Sequence, residues 1–159
     1  MKVLVSAVGQ RTEHWTDLFA VLARREDLEL TVLVADVSDL TIEGLERCAQ
    51  AAPGFRYHHL PHLVGEGRSG HMASIVLDPR ALRRLDVDPP DLVHVIGEPA
   101  YLSTAQMIRL QERRWPRVPI THYAAQNIVQ QFPLPFPWLE RRAYKRISHF
   151  FPILSLIHI

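Results

Sequence analysis

Short apolar runs separated by amphipathic stretches constrain this chain more than any other feature. Residues 2–8, K-V-L-V-S-A-V, are too few for a stable helix and stop at Gly9, so they read as a buried strand. Trp15, Leu18, Phe19 and Leu22 then recur at helical spacing, with Arg24 and Arg25 in the last turn. Residues 29–35, E-L-T-V-L-V-A, are rich in β-branched side chains and end at Asp36. Strand, helix and strand in that order form a β-α-β unit, whose crossover makes the two strands parallel.

The same alternation continues to the end of the chain. A short helix over 42–51 is stopped by Pro53-Gly54, and a strand over 55–60 precedes Pro61. Residues 62–74 turn polar and glycine-rich and read as a long loop. A helix over 79–85 is closed by Asp88-Pro89-Pro90, and these prolines force the chain extended into Leu92-Val93-His94-Val95-Ile96. Tyr101, Leu102, Ala105 and Ile108 give the apolar side of a helix reaching Arg114, residues 117–124 give a strand, and residues 138–147 a last helix. The pattern predicts an α/β fold: a doubly wound, mostly parallel Rossmann-like sheet with helices on both faces.

A chain of 159 residues fits one domain. With 47% apolar and 22% charged residues it suits a globular protein and excludes a disordered one. A net charge of +1 argues against a nucleic-acid binder driven by bulk electrostatics, and the pairs Arg83-Arg84, Arg113-Arg114 and Arg141-Arg142 read as solvated helix faces. Cys48 is alone, so neither a disulfide within the chain nor a cysteine metal cage forms, as suits a reducing compartment. No run approaches the roughly 20 apolar residues of a membrane-spanning helix. The expectation is a cytoplasmic protein, with peripheral contact at a membrane surface left open.

The residues that could carry chemistry fall at strand ends. Gly65-Glu66-Gly67-Arg68-Ser69-Gly70 matches G-x-G-x-x-G, but Pro61 and His62 precede it where a dinucleotide loop needs a buried strand, so it reads as a loop. His58, His59, His62 and His71 lack zinc-ligand spacing, since adjacent strand residues face opposite ways, and no metal site is assigned. What remains is Gly9, Gln10 and Arg11 after the first strand, Glu98 after the central one, and Gln126 and Asn127 after the next. In a parallel sheet these ends line one edge, where ligands of open α/β sheets bind. A carboxylate and two amides suit a neutral, hydroxyl-rich ligand better than a phosphate. The competing reading is structural: Glu98 caps the following helix, and Gln126 and Asn127 make turns.

Three segments carry a family likeness: P-D-L-V-H-V-I-G-E-P-A-Y-L-S from Pro90, V-P-I-T-H-Y-A-A-Q-N-I from Val118, and P-L-P-F-P-W-L-E-R-R-A-Y from Pro133. Together they resemble the amino-terminal domain of family 4 glycosyltransferases of the GT-B fold. The resemblance implies a retaining hexosyltransferase that moves a sugar from a nucleotide-sugar donor to a sugar, lipid or glycan acceptor. It implies no metal and no resident cofactor. Gly9, Gln10, Arg11, Glu98, Gln126 and Asn127 would then line the cleft between domains. The histidine that many members carry after the third of these strands is replaced by Ala125, and no catalytic residue is assigned. On this reading residues 1–153 are the acceptor-side domain, residues 154–159 are a non-native or truncated tail, the donor domain is missing, and the fragment is inactive. The alternative is a stand-alone Rossmann-like module that binds a small molecule or nucleotide without catalysis.

Overall fold

The computed structural model describes residues 1–8, 14–35, 37–64, 74–124 and 133–152. Eight strands and five helices alternate within them: β1 (Lys2–Ser6), α1 (His14–Ala23), β2 (Glu29–Val34), α2 (Asp39–Ala51), β3 (Phe55–His59), β4 (His62–Val64), β5 (Val76–Leu77), α3 (Pro79–Arg84), β6 (Leu92–Ile96), α4 (Leu102–Arg114), β7 (Ile120–Ala124), α5 (Phe136–Arg146) and β8 (His149–Pro152). Local chemistry sets several ends. The Ser38 hydroxyl accepts from Thr41 N at the start of α2, and the Asp78 carboxylate accepts from Arg80 N with Pro79 at the first position of α3. Arg113-Arg114 and Lys145-Arg146 close α4 and α5, where cations meet the negative end of the helix dipole.

Six strands form one sheet in the order β3-β2-β1-β6-β7-β8, every neighbouring pair parallel. The chain winds outward one way from β1 through β2 to β3, then returns to β6 and winds the other way, which is the doubly wound Rossmann-like arrangement. Two apolar cores follow from right-handed crossovers. Val3, Val5, Val32, Ile96, Phe19 and Leu45 pack beneath α1 and α2. Leu4, Leu33, Val93, Val95, Met107 and Ile120 pack on the opposite face beneath α3, α4 and α5. A central strand therefore meets helices with both sets of its side chains, and β1 and β6 read as nearly continuous apolar runs for that reason, with His94 the interruption in β6.

The stretch expected to be a long loop, 62–74, departs from that expectation at its start. His62–Val64 pairs antiparallel with Val76–Leu77 in a small second sheet, and Ile75 and Leu77 are fully buried in the core beneath α3. Neither strand exceeds three residues, too short for alternation to register. The G-x-G-x-x-G stretch over 65–70 lies outside the described residues.

Candidate functional site

The winding reverses between β1 and β6, and the carboxyl ends of these two neighbours form the crevice where open α/β sheets hold ligands. Beyond β6 the chain reaches Gly97, whose φ of +146° is reserved almost entirely for glycine. Its N–H donates to Tyr123 O at 3.1 Å, which ties the turn to the end of β7. A Cβ at this position would also stand 3.4 Å from the Tyr101 ring.

Glu98 follows, and it is only 8% exposed. Its backbone carbonyl accepts from Tyr101 N at 3.1 Å and from the Thr104 hydroxyl at 2.9 Å, so the turn is locked to the first residues of α4. The cap residue of α4 is Tyr101, which makes no side-chain cap bond. Burial raises the Tyr101 hydroxyl, and the Glu98 carboxylate raises it further. On α5 the Tyr144 hydroxyl is raised by burial first, then by Glu140 and by Glu98. One carboxylate thus acts electrostatically on two phenols from two helices.

Aromatic rings wall the same edge. Trp15 at the start of α1 meets Tyr123 near the end of β7 edge to face, with centroids 5.4 Å apart. The contact carries α1 across the β1–β6 junction. Of the six residues expected at the cleft, Glu98 is described, whereas Gly9, Gln10, Arg11, Gln126 and Asn127 lie outside the described residues.

The histidines of β6 and β7 point to opposite faces of the sheet. His94 Nδ1 shares a hydrogen bond of 2.8 Å with Thr121 Oγ1 on the neighbouring strand, and burial lowers its imidazole. His122 is fully buried on the other face beside Phe150, at 5.4 Å between ring centroids, and neither ring nitrogen has a hydrogen-bond partner among the described residues. Burial, followed by the nearby His94, lowers His122 to about 4. A ring so enclosed favours its neutral form. The periodicity of I-T-H-Y-A marked the strand, but a buried polar ring without partners leaves no signature in sequence.

The described residues form a Rossmann-like α/β sheet whose winding reverses at the β1–β6 junction. No protein-family model matches the chain, and no curated protein matches it. Among solved structures it is similar to phenylacrylic acid decarboxylase from Aquifex aeolicus, at 12% identity and a TM-score of 0.47, over 95% of this chain and 80% of that one. A likeness at that level carries no argument about chemistry. The glycosyltransferase expectation is corrected: no family model and no curated protein matches the chain to support it. The family 4 assignment, the GT-B half-fold, the sugar transfer and the acceptor are set aside with it. The physical reason is that the described parts of the quoted segments are β6 with the start of α4, β7, and most of α5, elements that any doubly wound sheet needs, so their order reports the fold and not the reaction. No helix among the described residues is long and apolar enough to cross a membrane.

Proposed function

We propose that this chain is a Rossmann-like module that binds a small, hydroxyl-bearing molecule at the carboxyl edge of its sheet, between β1 and β6. The observation behind this reading is the buried Glu98 carboxylate just past a positive-φ glycine at the point where the sheet reverses direction. A carboxylate so placed accepts from ligand hydroxyls, as an acidic residue does from a ribose in dinucleotide-binding folds, and repels a phosphate that a helix terminus would otherwise attract. Gly9, Gln10 and Arg11 follow β1 in sequence, and Gln126 and Asn127 follow β7, so the proposal assigns the remaining polar contacts to them. Contact with a membrane surface concerns a different part of the molecule, the outer face of α3, α4 and α5.

The test is thermal unfolding of the purified chain with adenosine, uridine or glucose, each beside its monophosphate. The reading expects a saturable rise in Tm with at least one neutral compound, a smaller rise with its phosphate, and loss of the rise in Glu98→Gln. No rise with any of the six compounds, or a rise unaffected by Glu98→Gln, overturns it.

A further inference from the structure

The nearly neutral chain conceals a strong division of charge between its two helical layers. Helices α1 and α2 carry four acidic side chains against Arg47, a net charge of −3. Helices α3, α4 and α5 carry ten basic side chains against Glu112 and Glu140, a net charge of +8. Three of the four adjacent arginine pairs, Arg83-Arg84, Arg113-Arg114 and Arg141-Arg142, come to one side of the sheet, while Arg24-Arg25 directly follows α1.

That layer is continuous. Glu112 on α4 ties it to α5 by bridging Arg142 at 2.6 Å and Arg146 at 3.0 Å, which uses one of its two acids internally. Between α3 and α4 runs an open groove of about 710 Å³, lined by Leu82 and Leu110 and bordered by Arg83, Arg109, Arg113 and Arg114. Large apolar groups stand exposed beside the charges. Leu134, just before α5, is 84% exposed, and Trp138 and Tyr144 on α5 are 58% and 55% exposed. With Leu139 and Ala143 facing the core, the helical period puts Arg141 and Lys145 outward, flanked by Trp138 and Tyr144. The Arg142 guanidinium lies 5.9 Å from the Trp138 ring centroid.

Basic side chains reach phosphate while aromatic and aliphatic groups enter the boundary between headgroups and acyl chains, a combination that fits a lipid surface. A nucleic acid would use the cations and rings but has nothing to offer Leu134. A second copy could place its acidic layer here, but its net −3 complements little of the +8. We propose that the outer face of α3, α4 and α5 docks on an anionic lipid bilayer.

Vesicle co-sedimentation of the full chain tests this, with vesicles of phosphatidylcholine alone and with about one third phosphatidylglycerol added. The proposal expects pelleting only with the phosphatidylglycerol vesicles, and a fall of about tenfold or more in the partition coefficient when NaCl is raised to about 0.3 M. The combined variant Arg83→Glu, Arg113→Glu and Arg141→Glu, at three exposed positions, should abolish binding while its circular dichroism stays unchanged. Glu43→Lys on the exposed side of α2 should leave binding intact. Equal pelleting with both vesicle types, pelleting with neither, or binding retained by the folded triple variant overturns the proposal. So does retardation of a single-stranded oligonucleotide, or salt-sensitive self-association in light scattering, without vesicle binding.

Discussion

The side-chain amide of Gln106 closes two hydrogen bonds on the backbone of Leu77: its Oε1 accepts from Leu77 N and its Nε2 donates to Leu77 O, both at 2.9 Å. A residue of α4 thereby supplies what a further strand would supply to the small β4–β5 sheet. Leu77 is fully buried, so the amide is the means by which its backbone stays paired. Gln106→Leu should therefore cost about 2–4 kcal/mol, with two buried groups left unsatisfied. Urea unfolding measures the loss, and faster hydrogen exchange at the Leu77 amide would localise it; an unchanged exchange rate there would count against this role.

Acidification should weaken the fold through His122. Its imidazole is lowered from 6.5 to about 4, so the unfolded chain takes up a proton that the folded chain refuses over that interval. The stability due to a neutral His122 is complete above pH 6.5 and is lost as pH falls toward 4. His122→Phe, a ring of similar size facing Phe150, should gain on the wild type by about 3 kcal/mol between neutral pH and about 4. Burial lowers His94 and His58 in the same direction, so the variant should keep part of the slope. Parallel stability curves for the two proteins would exclude His122 as the sensor.

Gly97→Ala should destabilise the domain by about 1–3 kcal/mol, because an L side chain at φ +146° is strained whatever space surrounds it. The added methyl would stand 3.4 Å from the Tyr101 ring, at contact distance, so the strain is that of the backbone. A melting curve indistinguishable from wild type would show that this turn can relax to negative φ.

Helices α1 and α2 meet where Gly44 faces Thr16. A Cβ on Gly44 would fall 2.8 Å from Thr16 Cγ2, closer than carbon atoms approach. Gly44→Ala improves intrinsic helix propensity by about 1 kcal/mol yet should destabilise overall, since the helices must separate. Thr16→Ser removes the opposing methyl and should rescue the variant, while a failure of rescue would place the strain elsewhere.

Five of the six strands of the main sheet were legible as short apolar or β-branched runs bounded by Gly, Pro and Asp, as around Leu92–Ile96. Helix ends were read within a few residues where a cap or proline marks them, as at Asp78-Pro79, whereas the stretch before Trp138 concealed two further residues of α5. The β4–β5 pairing was hidden because Gln106, distant in sequence, completes it. The position of Glu98 followed from strand order, but its burial against α4 depends on Thr104 and Tyr101, whose roles no spacing rule announces. The arginine pairs were visible as pairs; that three of the four share one face is a property of the crossovers.

Strand β1 pairs with β2 on one side and with β6, some ninety residues later, on the other, Val3 opposite Leu92. During synthesis β1, β2 and β3 with their two helices can assemble while the opposite edge of β1 remains bare. An apolar, unpaired edge is a template for other chains, and it persists until residue 96 has left the ribosome. The strand at the centre of the finished sheet is the exposed flank of the nascent one, and the time taken to translate the intervening segment sets how long that flank must be protected.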